Sequence, residues 1–213
     1  MIAAGVGGAL RLLCRLLTGA APVWHCDPAA VGARIFFANH GSHLDTLVIW
    51  STLPPQLRAR TRAVAARDYW ERGALRRYLA TRVFRALLID RKPPANPQFQ
   101  NQQREAGMRA MTDVLDANEN IIIFPEGTRG DGADLLPFRS GLFHLAKNRP
   151  DVPLVPVWLG NLARILPKGE ALPVPVQGRV IFGEELRLAA DEDKDGFLAR
   201  CREALQALEP RRS

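Results

Sequence analysis

Histidine and cysteine are both scarce in this chain of 213 residues, at four and three. Cys14, Cys26 and Cys201 are an odd number and include no C-x-x-C pair. That fits reduced thiols in a cytosolic compartment rather than a disulfide framework. Zinc-finger spacing, an RNP aromatic pattern and a heptad-linked basic region are all missing, so nucleic acid is not an expected partner. No uninterrupted apolar stretch reaches the roughly 20 residues that a membrane span needs. The N-terminal "MIAAGVGGALRLLCRLLTGAAPVW" comes nearest, but ten residues precede Arg11 and Arg15 follows. A signal peptide carries its positive charge ahead of the apolar run, and this segment does not. No tract is biased enough for disorder, and no internal repeat or second domain is visible.

What is present suits one domain with a small appendage. The chain is 47% hydrophobic, enough for a sizeable core. Leu10, Leu13, Cys14, Leu16 and Leu17 fall near helical spacing, with Arg11 and Arg15 on another face. Such a helix either lies in a membrane interface or docks on its own domain. The expected division is an amphipathic membrane-interface helix over residues 1–23 and a domain over 24–213. The expected location is peripheral, on the cytoplasmic side of a membrane. The net charge of +7 is concentrated in residues 1–92, which hold 14 Lys/Arg against 5 Asp/Glu. The excess is densest in "RARTRAVAARDYWERGALRRYLATRVFR" and is almost all arginine. It is either a solvated surface or a face for anionic lipid, an acidic carrier protein or a nucleotide-bearing cofactor.

Strand and helix patterns alternate. Strands are expected over Ala33–Ala38, Thr61–Ala66 and residues 86–90, in "NIIIF" at 120–124, and in the later "PLVPVWL" and "GRVIFG". Helices are expected over Leu44–Leu53, Tyr69–Thr81, Phe99–Ala117, Leu142–Lys147 and Lys194–Leu208. This order predicts an α/β fold: a single-domain, mixed, largely parallel sheet flanked by helices.

Three polar islands follow predicted strands: "NHGSHLD" from Asn39, "DRK" from Asp90, and "PEGTR" from Pro125. Ligands bind in the crevice beyond strand C-termini in open α/β sheets, so the three can share one site. His40 and Asp45 diverge by about 140° on a continuous helix. They meet only if His40 lies in the turn, Gly41 is the joint, and Asp45 opens the helix. Asp45 then orients one imidazole nitrogen and leaves the other to accept a proton. Other readings stay open: His40, His43 and Asp45 as metal ligands, Ser42 as a nucleophile without a G-x-S-x-G elbow, or a structural pair at a helix start. Pro125 and Gly127 fix a turn, and Thr128 and Arg129 suit a phosphate. Glu126 would repel that phosphate, and suits holding the arginines or bonding a substrate hydroxyl. Arg91 adds a cation at another strand end.

Together, "NHGSHLD", "FRALLIDR", "FPEGTR" and "PLVPVWL" resemble, in order and spacing, the four sequence blocks of the glycerolipid acyltransferases, over about residues 34–183. The nearest branch is the 1-acyl-glycerol-3-phosphate (lysophosphatidate) acyltransferases. The resemblance implies chemistry at His40 and Asp45, with Asn39 and Pro125 in support. It implies acceptor-phosphate binding by Arg91, Glu126, Gly127, Thr128 and Arg129, and an acyl-chain or donor role for Pro156. The implied reaction moves a fatty acyl group from acyl-CoA or acyl-carrier protein to a lysophospholipid hydroxyl at an anionic membrane surface, in phospholipid biosynthesis. It requires neither cofactor nor metal. Glycerol-3-phosphate, a larger lysophospholipid or a lyso-amino-acid lipid are alternative acceptors, and a non-catalytic module binding anionic membranes is the alternative from another class. One departure stands out: the second block usually opens with glycine, and Arg85 occupies that position.

Overall fold

The structure, a computed structural model, describes residues 2–42, 44–90, 96–130, 134–160 and 178–210. In chain order its elements are α1 (Ile2–Thr18), β1 (Ala21–Trp24), β2 (Ile35–Ala38), α2 (Asp45–Thr52), α3 (Pro55–Ala59), β3 (Thr61–Ala66), α4 (Arg67–Trp70) and α5 (Ala74–Tyr78). A π turn (Leu79–Val83) leads to β4 (Leu87–Ile89), α6 (Pro97–Asp116), β5 (Asn120–Ile123), α7 (Gly141–Asn148), β6 (Leu154–Gly160), β7 (Arg179–Phe182) and α8 (Lys194–Gln206). The strands form one sheet in the order β1-β7-β6-β2-β5-β3-β4. From β6 to β4 all neighbours are parallel, and only β6 and β7 pair antiparallel. The expected mixed, largely parallel α/β sheet is the fold found.

The central strands are apolar throughout because both faces are covered. All four residues of β2 and of β5 are buried. Phe36 and Ala38 of β2, with Ile122, Val155 and Val157, pack against Cys14 of α1 and Val48 and Ile49 of α2. Ile35 and Phe37 face the other way, onto Leu115 of α6, Leu142 and Leu145 of α7, and Phe197 and Cys201 of α8. Alternation along each strand thus sorts its side chains into two helical layers. Asn120 ties three strands together where they begin. Its Oδ1 accepts from the Arg34 N–H at 2.9 Å, and its Nδ2 donates to the Arg60 carbonyl and Thr61 Oγ1, each at 3.2 Å.

Three local outcomes differ from the sequence reading. β1 was not expected, and it joins the first 23 residues to the sheet by pairing with β7. Pro22 is tolerated because β1 is an edge strand, and Trp24 stacks on Phe182 at 3.7 Å. The single helix expected over 69–81 is broken at Gly73, whose φ of +100° a helix cannot contain, and α3 was not foreseen after Pro54. Of the two alternatives for α1, docking on its own domain is the one seen. Gly7, Cys14 and Thr18 face the domain and are buried, whereas Leu12, Leu13, Leu16 and Leu17 on the opposite side are 61, 52, 74 and 44% exposed.

Candidate active site

Strand register builds the centre of the site. Ile35 lies opposite Ile121 and Phe37 opposite Ile123. Continued past the strand ends, the same offset of 86 residues sets His40 beside Glu126, and there the His40 N–H donates to Glu126 Oε1 at 2.8 Å. The Gly130 N–H donates back to the His40 carbonyl at 2.8 Å. The turn over residues 125–130 therefore holds the main chain of His40 from both sides. On β2's other flank, Asn39 Nδ2 donates to the Leu159 carbonyl at 3.0 Å, and its Oδ1 accepts from the Leu159 N–H at 2.8 Å. A side-chain amide thus continues the β2–β6 ladder where the strand stops.

The imidazole is fixed as firmly as its backbone. Its Nδ1 lies 2.8 Å from Asp45 Oδ2. That same oxygen accepts the Gly41 N–H at 2.8 Å and the Ser42 N–H at 2.9 Å. Asp45 is the first residue of α2, so its carboxylate also sits where the helix dipole favours negative charge. Its side chain is 1% exposed, against 23% for His40. The ring of Phe124 stacks on the imidazole at 4.2 Å. With Nδ1–H given to Asp45, Nε2 is left to take a proton. Ser42 Oγ accepts from the Leu44 N–H at 3.2 Å and the residue is buried, a turn-forming role rather than that of an exposed nucleophile.

Glu126 does not do what its neighbours in sequence suggest. It is 3% exposed, and its second oxygen accepts the Leu136 N–H at 3.0 Å. Both oxygens therefore hold main chain, and among the described residues neither holds an arginine. Burial pushes its carboxyl above the usual glutamate range, opposed by the bonds from His40 and Leu136. Gly127 has φ +69°, and a Cβ there would lie 2.3 Å from Arg139 Nε. Arg139 closes the turn, its Nε donating to the Glu126 carbonyl at 3.2 Å and its N–H to the Pro125 carbonyl at 2.8 Å. Pro125 is buried within this turn, and Thr128 and Arg129 stand exposed on it, Arg129 next to the glycine that bonds His40.

Not every expected residue converges. Pro156 is buried inside β6 opposite Phe37, short of the strand end, with Gly183 against its ring. Arg91 and His43 lie outside the described residues. β4, which precedes Arg91, is separated from β5 by β3, and Asp90 at its end pairs with Arg67 at 3.1 Å. Arg85 has φ +49°, which explains why glycine suits that position. Its guanidinium bonds Glu119 at 2.6 Å. Among the described residues no group of three His, Cys, Asp or Glu side chains is placed to hold a metal ion. Phe124 and Arg139 were missed by sequence reasoning. Phe124 carries a signal in hindsight, as an aromatic between a buried strand and the Pro-Glu-Gly turn.

Comparison with known proteins gives a consistent picture. A protein-family model described as acyltransferase matches residues 28–160. Human 1-acyl-sn-glycerol-3-phosphate acyltransferase beta is 46% identical over 66 residues, covering 28% of this chain and 23% of that protein. The human alpha protein is 27% identical over 190 residues, covering 79% of this chain and 59% of its own length. The 1-acyl-sn-glycerol-3-phosphate acyltransferase of Limnanthes alba is 31% identical over 145 residues, covering 67% and 47%. The chain thus spans less than two thirds of the length of each of these relatives. Among solved structures, the 1-acyl-sn-glycerophosphate (LPA) acyltransferase PlsC from Thermotoga maritima shares the fold, with a TM-score of 0.69 at 17% identity over 95% of this chain and 78% of that one.

Proposed function

Because the chain belongs to the acyltransferase family, we propose that it moves a fatty acyl group from an acyl thioester to the free hydroxyl of 1-acyl-glycerol-3-phosphate, giving phosphatidate. The observation that carries this reading is the 2.8 Å contact of His40 Nδ1 with a buried Asp45, at a strand-end turn bearing Arg129. His40 Nε2 takes the proton from the acceptor hydroxyl as the oxygen attacks the thioester carbonyl. The tetrahedral intermediate collapses by breaking the C–S bond, and the departing thiolate recovers the proton from the imidazolium. The acceptor oxygen is itself the nucleophile, so no acyl-enzyme forms and no cofactor is required. The relatives named as 1-acyl-sn-glycerol-3-phosphate acyltransferases support the acceptor. A module that only binds anionic membranes has no use for an oriented base.

Acyl transfer by the purified protein, measured across acceptors with both CoA and carrier-protein thioesters, tests the reaction. Arg129→Lys tests the acceptor. A guanidinium holds two phosphate oxygens at once, a geometry that lysine lacks. The Michaelis constant for lysophosphatidate is expected to rise about tenfold to a hundredfold, since a charge-assisted hydrogen bond is worth roughly 1.5–3 kcal/mol. The constant for the thioester should stay as it was. A wild type that prefers an acceptor without the phosphomonoester would transfer the assignment to a larger head group.

We further propose that the enzyme works at an anionic membrane surface through α1. Among the described residues no helix is long and apolar enough to cross a membrane. The exposed leucines of α1, with Arg15 between them, suit a helix lying in the interface. Leu12→Gln together with Leu16→Gln is expected to weaken sedimentation with phosphatidylglycerol vesicles about tenfold or more, each buried leucine being worth roughly 1.5–3 kcal/mol. Thermal stability should hold, because neither side chain is in the core. Removing the whole helix is the poorer test, since it would strip Cys14 and Thr18 from the domain. Unchanged vesicle binding by the double variant would end the α1 assignment.

A further inference from the structure

A second polar site stands apart from His40. An open cleft of about 740 Å³ lies on the limb formed by α4, α5 and the π turn, lined in part by Glu71, Arg77, Tyr78, Thr81 and Arg82. No described residue of the His40–Asp45 loop or of the 125–130 turn borders it. On an α-helix Arg77 and Arg82, five residues apart, would diverge by about 140°. The π turn changes that. The Phe84 N–H donates to the Leu79 carbonyl at 2.9 Å, five residues back. The widened turn reduces that divergence, and both residues line one cleft. The charge is uncompensated: Arg72, Arg76, Arg77 and Arg82 are all exposed. None of the four makes an ion pair among the described residues. Among the described residues Glu71 is the one acid on the cleft wall, and it is engaged by Arg67 at 3.1 Å. Tyr78 Oη is shielded from solvent and has no hydrogen-bond partner among the described residues.

Two exposed guanidiniums on one cleft with neighbouring hydroxyls suit phosphate oxygens. The cleft is concave, which favours a discrete small polyanion over a flat bilayer surface. Its place in the fold selects which one. α4 begins at Arg67, directly after the last residue of β3, and β3 runs parallel to β5 and hence to β2. The limb therefore starts at the same sheet edge that carries His40, with only β5 between at roughly 4.8 Å per strand. Its far end, the π turn, leads back toward the start of β4, where Arg85 bonds the Ala59 carbonyl just before β3. We propose that this cleft binds the phosphorylated nucleotide end of a coenzyme A thioester, whose pantetheine arm then runs along the limb to that edge and across to His40. The inference rests on the acyl-transfer reading and narrows its donor from either thioester to coenzyme A.

The test uses the full chain with Arg77→Gln and Arg82→Gln combined, and Tyr78→Phe as a second variant that leaves the charge in place. Titration calorimetry with free coenzyme A reads binding without turnover. The double variant is expected to bind coenzyme A about tenfold to a hundredfold more weakly, on the usual worth of charge-assisted bonds. Its Michaelis constant for acyl-CoA should rise in step, with the lysophosphatidate constant unchanged. Acyl-pantetheine, which lacks the nucleotide, should be used equally by variant and wild type. Coenzyme A affinity that survives the double change overturns the proposal. So does a variant that loses binding to phosphatidylglycerol vesicles, or use of acyl-carrier protein, while keeping coenzyme A. Those outcomes would make the cleft a head-group or carrier-protein contact. If wild type binds coenzyme A through these arginines yet transfers no acyl group to any lysolipid, the subsite stands and the acyl-transfer reading falls.

Discussion

His40→Ala is expected to lower turnover by roughly 10²–10⁴-fold, the usual worth of a positioned general base. Lysolipid binding should survive, because His40 contributes its ring to the reaction and only its backbone to the turn over residues 125–130. Asp45→Asn should be nearly as damaging, for a separable reason. One oxygen of Asp45 gathers the His40 Nδ1–H and the Gly41 and Ser42 N–H groups, and an asparagine can offer them only a neutral amide oxygen, a weaker acceptor with no charge to steady the imidazolium. The asparagine variant should therefore lose turnover and loosen both the ring and the loop. Hydrogen exchange at Gly41 and Ser42 should quicken in Asp45→Asn but stay slow in His40→Ala. Single-turnover rates and equilibrium binding, measured together, check the division. Two results would sink it: binding that collapses with turnover in His40→Ala, or His43→Ala losing as much as His40→Ala. The second would return the metal reading to first place.

How much of this was legible depends on whether the information is local. "NIIIF" and Thr61–Ala66 declare themselves as strands because a β-branched or alternating run is bounded by polar or turn residues, and β5 and β3 occupy those positions. β1 carries no such pattern. "APVW" becomes a strand through pairing with β7 and the stacking of Trp24 on Phe182, both set by residues far along the chain. The same distinction divides the site. His40 and Asp45 are five residues apart, so their pairing follows from turn geometry alone. Glu126 meets His40 through strand register across 86 residues, which no local pattern encodes. Its place beside Thr128 and Arg129 suggested a group holding the arginines or bonding a substrate hydroxyl. The structure instead makes it the buried peg on which two loops hang. Arg85 is a milder case: the expected glycine was noted, but only the backbone reveals that the position is left-handed.

That buried peg makes the turn over residues 125–130 a positioning element, and Gly127→Ala is the sharpest way to disturb it. An alanine must adopt φ near +69° and place its Cβ 2.3 Å from Arg139 Nε and 2.6 Å from its Cδ. The left-handed backbone alone costs about 1–2 kcal/mol. Arg139 must also withdraw, giving up its bond to the Glu126 carbonyl. The cheapest relief is a shift of the turn, which moves Glu126 and Gly130 and with them both supports of the His40 backbone. A displacement of about 1 Å at a catalytic group can cost 10²-fold in rate. Turnover is therefore expected to fall by tenfold to a hundredfold (about), while the melting temperature drops by only several degrees, at roughly 2–4 °C per kcal/mol for a domain of this size. Arg139→Ala on the glycine background separates steric conflict from lost support. It removes the clash partner and one turn bond but keeps Gly127, so it should be impaired less. In the Gly127→Ala background, adding Arg139→Ala should recover part of the lost rate, because the three atoms nearest the Cβ all belong to the Arg139 side chain. A Gly127→Ala protein that melts lower yet turns over at the wild-type rate would show that the turn supports the fold without positioning His40.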